Sequence, residues 1–320
     1  MRTATKIWLA IAAFLVITGM ILITAAMREL QWDFTKLSTG KYEMNTYDVG
    51  NSFDRISVKT DTANIKFVLS NDGKCRIECY ELEKTKHIVA IQENTLAIHM
   101  KDERSWYDYI GIHFGSPMIT VYLPKTDYAS LMIRESTGDV VIPRGFQFAT
   151  VDITSGTGDV KALSSASEFL KIKTSTGNIT VENIAAGAFA LSAGTGGITA
   201  SNIKCAGDAN VTVSTGKTNL NNIVCKNLIS VGSTGDITLN SLLAAEKITI
   251  KRSTGNVRLK ESDAAELAVT TNTGNVWGTL LSEKVFFIKT DTGRIDVPQS
   301  QTGGKCAITT DTGDIKLYIP

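Results

Sequence analysis

The sequence predicts an all-β fold: a single-chain β-solenoid (β-helix) of about ten coils, each 19–20 residues long, preceded by an irregular β cap and one transmembrane helix. Three observations carry that expectation. A Thr-Gly pair recurs at Thr137, Thr157, Thr176, Thr195, Thr215, Thr234, Thr254, Thr273, Thr292 and Thr312, each 19 or 20 residues after the last. Apolar residues alternate with polar ones on both sides of every pair. Near the amino terminus Ile7–Met27 runs for 21 residues without a charge. A fixed period near 20 residues marks a solenoid whose repeat is one coil.

In chain order, residues 1–6 are a short cationic head and residues 7–27 the transmembrane helix. At ~1.5 Å per residue that run spans a hydrocarbon core of about 30 Å. Its length favours an uncleaved anchor over a signal peptide, whose apolar region is shorter, although Thr24-Ala25-Ala26 is a weak cleavage site. Lys and Arg are nearly balanced across the helix, with Arg2 and Lys6 before it and Arg28, Lys36 and Lys41 after it. The head is too short to fold, so the rest of the chain occupies one side, and the expected arrangement is a single-pass cell-membrane protein with an extracytoplasmic solenoid.

Residues 28–50 read as a polar tether. Residues 51–127 read as the cap and first coils, with strands expected near residues 74–80, 87–92, 95–100 and 118–123. Within it, Thr60-Asp61-Thr62-Ala63-Asn64-Ile65 is a degenerate copy of Thr290-Asp291-Thr292-Gly293-Arg294-Ile295. A cap is needed because the unpaired edge of a bare coil recruits other chains.

Residues 128–320 are the regular solenoid. Leu131, Val151, Leu170 and Phe189 stand seven before their glycines, Ile133, Ile153 and Ile172 five before, and Val140, Val160 and Ile179 two after. This period of two, in β-branched residues and leucine, is that of half-buried strands. Each coil is therefore a strand, a Thr-Gly corner, a second strand and a looser return such as Ala185-Ala186-Gly187. Handedness and the number of faces per coil do not follow from the pattern.

The balance of 33 basic and 32 acidic residues, with no basic stripe, gives nucleic-acid binding no support. Five cysteines are too few for a disulfide-built fold. Cys205 and Cys225 share a coil position and should be neighbours, whereas Cys75 and Cys79 are too far apart to bond; neither pair has a partner set that suggests zinc. Asp139 and Asp159 stack in adjacent coils and could hold a calcium ion or share a proton, but Asp or Asn after a corner glycine is first of all turn chemistry. Thr-x-Thr pairs such as Thr174/Thr176 and Thr271/Thr273 suggest a ligand ladder, yet Ser155, Ala193, Val213, Gly232 and Arg252 interrupt the row. No catalytic, cofactor or metal site is expected.

Two places break the repeat. The aromatic run with Trp106, Tyr107, Tyr109 and Phe114 is either a plug for the cap or a partner contact, and it is the candidate contact site. The chain ends at Lys316–Pro320 within the last coil, so either homotypic end-to-end contact or a partner strand is expected at an uncovered carboxy-terminal coil.

The chain resembles the bacterial "putative adhesin" β-solenoid domain family, a domain of unknown function. The resemblance lies in Phe53-Asp54-Arg55-Ile56-Ser57-Val58 with the degenerate corner after it. It continues in Met118-Ile119-Thr120-Val121-Tyr122-Leu123-Pro124 leading into the coils, and in the repeated Ser-Thr-Gly-Asp/Asn-Ile/Val corners. It implies an envelope-located, often membrane-anchored solenoid with no catalytic residues. The expected function is a non-enzymatic membrane-anchored envelope protein that presents its surface for adhesion or scaffolding, its partner a cell-wall glycan or an envelope protein. The alternative is an accessory of an envelope-stress sensor, and a polysaccharide-active β-helix enzyme ranks below both.

Overall fold

Alternation decides which side chains enter the rod. In the strand ending at Thr176, Leu170, Ile172 and Thr174 point inward while Lys171 and Lys173 point out, and the same rows repeat coil after coil. In this computed structural model, residues 3–33, 40–50, 53–109 and 115–320 are described. Helix α1 (Thr3–Glu29) is apolar and exposed along nearly its whole length, long enough to cross a bilayer, and is the membrane anchor.

The cap holds β1 (Tyr42–Val49), β2 (Arg55–Thr62), β3 (Asn64–Leu69), β4 (Cys75–Leu82), β5 (Thr85–Gln92), β6 (Thr95–Asp102) and β7 (Met118–Leu123). The next coils contribute β8 (Asp127–Thr137), β9 (Val140–Ile142), β10 (Gln147–Thr157), β11 (Val160–Ala162), β12 (Ser165–Thr176), β13 (Ile179–Thr195), β14 (Ile198–Cys205) and β15 (Ala209–Thr215). The rest are β16 (Thr218–Thr234), β17 (Ile237–Thr254), β18 (Val257–Lys260), β19 (Asp263–Thr273), β20 (Val276–Thr279), β21 (Lys284–Thr292), β22 (Ile295–Asp296), β23 (Gly304–Thr312) and β24 (Ile315–Tyr318).

Strands before the corners form one parallel face and strands after them a second, with Thr137, Thr157, Thr176, Thr195 and Thr215 in register. In the middle coils a third short side follows, in which Ile184, Ile203, Ile223 and Leu242 stack and point inward. The bend into it falls on Asn183, Asn202, Asn222, Ser241 and Glu261, all with φ near +50°. Asn202 and Asn222 bridge this bend by donating from Nδ2 to the Oδ1 of the preceding Asn.

The Thr-Gly corner needs glycine for two reasons. Gly196 has φ of +137°, and a Cβ there would run into the carbonyl oxygen of Gly177 one coil away. Coils can therefore stack at the strand spacing of ~4.8 Å only with no side chain at that point.

Two expectations are corrected. Residues 42–49, read as part of a tether, form β1, which pairs antiparallel with β4 from Tyr42↔Leu82 to Val49↔Cys75. Their alternation is too polar to announce a strand, because this strand covers an end and buries little. The carboxy-terminal coil is not the end of the rod. Thr273 pairs with Thr312, and Thr312 with Thr292, so β23–β24 lies between β19–β20 and β21–β22. The spatial terminus is the preceding coil, β21–β22, because the chain overshoots by one layer at residues 280–283 and returns to fill the gap.

Candidate functional site

The repeated polar rows are internal chemistry of the corners. Asp139 Oδ1 accepts the backbone N–H of Asp159 at 2.8 Å, Asp159 Oδ1 that of Asn178 at 2.7 Å, and Asn178 Oδ1 that of Gly197 at 2.9 Å. The ladder also records the exchanged coil order: Asn275 Oδ1 caps the N–H of Asp314, and Asp314 Oδ1 that of Arg294. In the Thr-x-Thr pairs the first threonine faces inward, and Thr174, Thr271 and Thr310 donate to a corner glycine carbonyl of the neighbouring coil. No outward ladder of paired threonines is left to meet a ligand.

The breaks in that inner row fit one another. Arg252 is buried, and Gly232 beside it leaves room for the guanidinium. The guanidinium donates to Ser230 Oγ at 3.0 Å and Thr218 Oγ1 at 3.2 Å, and burial lowers its pKa to about 10. At the cap end of the row, Glu135 lies buried with neither carboxyl oxygen hydrogen-bonded, next to Ser155, and burial pushes its pKa up to about 7. Cys205 and Cys225 are buried free thiols; Cys205 donates to the Gly207 carbonyl, and burial raises the pKa of both.

The cap end carries the densest polar grouping. Inward-facing Cys79 and Glu81 alternate on β4, and the Glu83-Lys84 turn brings His87 of β5 against them. Glu81 Oε2 accepts the His87 N–H at 2.7 Å and lies 2.6 Å from His87 Nδ1, while Glu81 Oε1 accepts from Asn45 Nδ2 at 2.8 Å. His87 Nε2 is 2.9 Å from Thr60 Oγ1. One ligand atom each of Cys79, Glu81 and His87 lies within 4.8 Å of the other two, and all three residues are buried. Beside them opens a cleft of about 340 Å³ lined by Tyr47, Lys86, His87, Lys101 and Glu103.

The sequence reading missed this grouping, since it depends on a hairpin that turns around a corner of the rod. The signal available was Cys-x-Glu followed by a histidine in the next strand. Of the aromatic run, Trp106 is 76% exposed on a 3-10 turn, so it does not plug the core. That turn is held by Asp108, which accepts from Lys84 Nζ at 2.6 Å and the Ser105 N–H at 2.8 Å. Tyr107 and Tyr109 belong to the same turn, and Phe114 lies outside the described residues.

The two ends differ. Across the cap end, Lys86 of β5 pairs with Glu43 of β1 at 2.6 Å, and Tyr47 of β1 donates to the His87 carbonyl. At the other end β21 and β22 pair on one side only, and Phe287 (58%) and Ile295 (49%) are exposed. That terminal coil is fastened from below. Lys284 is buried and reaches past Gly304, which has no side chain, to Asp263 Oδ1 at 2.6 Å on β19.

Comparison with known proteins gives the following. Solved structures with similar chains include a putative adhesin from Bacteroides fragilis (17% identity, 87% of this chain and 97% of that one, TM-score 0.43). Another is a putative lipid binding protein from Parabacteroides distasonis (12% identity, 77% and 98%, TM-score 0.47). At these values the likeness says nothing of function. A comparison with curated proteins finds no match. Residues 53–222 and 206–320 together match the family described as Toastrack DUF4097, which takes in both the cap and the coils. The chain belongs to the Toastrack DUF4097 family.

Proposed function

We propose that this chain is a non-catalytic, single-pass protein of the cell envelope, whose solenoid stands outside the membrane as a scaffold and makes its contact through the open coil β21–β22. The occupant of that coil is a second copy of the chain, stacked end to end. The observation that carries this reading is the bare edge of β21–β22, where Ile295 of the inward row is left exposed and Phe286 and Ile288 are only partly buried, opposite an end closed by antiparallel strands. Unpaired edges with apolar side chains are templates for strand addition. Because the cap end is closed, two copies meet open end to open end, where coils of the same cross-section pair their edge strands antiparallel about a two-fold axis.

The extracytoplasmic placement rests on the short cationic head before α1, which stays on the inner side. The non-catalytic reading is supported by the corner carboxylates, each of which has one oxygen engaged by a backbone N–H of the next coil. The test is sedimentation of the full chain in detergent. The wild type is expected to form dimers at micromolar concentration, and Ile295→Lys, at the exposed end of the inward row, monomers of unchanged fold. A wild type that stays monomeric while binding wall fragments or one envelope protein would overturn the homotypic reading in favour of those partners.

A further inference from the structure

We infer that Cys79, Glu81 and His87 form a binding site for one divalent transition-metal ion, of which zinc fits best, in the cap end of the rod. Thiolate, carboxylate and imidazole are the donor set that zinc takes, at about 2.0–2.3 Å per bond. The three donors come from two strands that belong to different faces, β4 and β5, and the ion would join those faces where no further coil stacks. All three residues are almost wholly buried, and their ligand atoms already lie within 4.8 Å of one another. Tetrahedral bonds of that length put donor atoms roughly 3.3–3.8 Å apart, so Nδ1 and Oε2, now 2.6 Å apart, must separate by under about 1 Å.

The surroundings supply what a metal site needs beyond its ligands. Asn45 Nδ2 holds the other oxygen of Glu81, and the His87 N–H also donates to this carboxylate. Thr60 Oγ1 faces Nε2, the ring nitrogen left over when Nδ1 binds the ion. A cleft lined by Tyr47, His87 and Glu103 opens on the His87 side of the cluster.

Charge and protons balance. Starting from thiol, carboxylate and neutral imidazole, the ion displaces the Cys79 proton to solvent. The imidazole proton moves from Nδ1 to Nε2, where Thr60 Oγ1 accepts it. A dication with one thiolate and one carboxylate is neutral, the state a buried site tolerates.

The experiment strips the full chain in detergent with a chelator and adds Zn2+ or Co2+. Expected are about one ion and about one released proton per chain, a thiolate-to-Co2+ absorption band, and a thermal transition raised by Zn2+ but not by Mg2+. Cys79→Ser and His87→Gln each abolish the band, whereas Cys75→Ser and the Cys205→Ser/Cys225→Ser double variant keep it. Circular dichroism confirms that the strands are intact, and if Cys79→Ser does not fold, the His87→Gln variant decides. Less than about 0.1 ion per chain at ~10 µM free Zn2+, or an undiminished Co2+ band in His87→Gln, overturns the site.

Discussion

Set side by side, the two ends of the rod solve one problem in different ways. A stack of coils always leaves two layers without a neighbour. At the cap end the chain reverses, lays antiparallel β1, β4 and β5 over the last parallel strands, and crosses the end with charged and hydroxyl side chains. At the other end no described residue covers β21–β22, and stability comes from beneath, through Lys284 and Asp263 and the inserted coil β23–β24. Each end also buries one ionisable group from the coil rows, Glu135 near the cap and Lys284 near the open end. The Glu135 carboxyl, beside Ser155, has its pKa raised to about 7 by burial, whereas the Lys284 ammonium has the Asp263 carboxylate as its partner. A covered end tolerates reversal and local irregularity; an open end must keep the geometry of a regular coil, which is what lets another molecule continue it.

The largest expected effect tests how the open end is fastened. Lys284→Ala leaves the partly buried Asp263 carboxylate with the Ala264 N–H but no cation, a loss that approaches the about 3–5 kcal/mol of a fully buried pair only as an upper bound. Urea unfolding should show β21–β24 melting ahead of the rest, with hydrogen exchange lost first at Phe286–Thr292. A variant that unfolds in one step with wild-type stability would mean that the terminal coil is held by backbone pairing alone.

Next in size is the pH dependence of the cap side. In the fold Glu135 keeps its proton to about pH 7, whereas an ordinary Glu releases it near 4.5. Between those values the folded chain binds a proton that the unfolded chain lacks. Its contribution is therefore full at low pH, falls as pH rises through about 7 and is absent above it, a swing of up to about 3 kcal/mol. Glu135→Gln should remove that slope, read as the difference between the two chains' stability curves from pH 5 to pH 8. Parallel curves would show that the carboxyl gains water or a partner in solution.

These two groups also mark how far the sequence could be read. The corners, the inward rows and the degenerate corner at Thr60–Ile65 follow from side-chain period and glycine alone, and Ala63 does stack under Gly138. The position after each corner glycine was legible as turn chemistry, and the N–H ladder bears that out. The order of the last coils was not. Every coil has the same cross-section, so a 19-residue period is equally satisfied by 273–292–312 and by 273–312–292. One long-range fit across the inserted coil accompanies the second order, Lys284 passing Gly304 to reach Asp263. The Gly232–Arg252 fit was likewise visible only as two breaks in a row. The cluster of Cys79, Glu81 and His87 depends on a hairpin turning around a corner, which local periodicity does not encode.

The smallest effect sharpens the contrast most cleanly, because it uses salt. Lys86 pairs with Glu43 across the cap end, and this bond, with that of Asn45, holds the Glu43 carboxyl below the usual range. Both side chains are solvent-exposed to a substantial degree, so the pair is screened and contributes little. Lys86→Ala should lower the thermal transition slightly at low ionic strength and not at all near 1 M salt, where charges interact only over about 3 Å. The loss caused by Lys284→Ala should persist under the same conditions, because ions do not reach a buried pair. If the Lys86→Ala effect also survived high salt, the bond across β1 and β5 would be closing the end from inside, and both ends of the rod would then be fastened by buried charge.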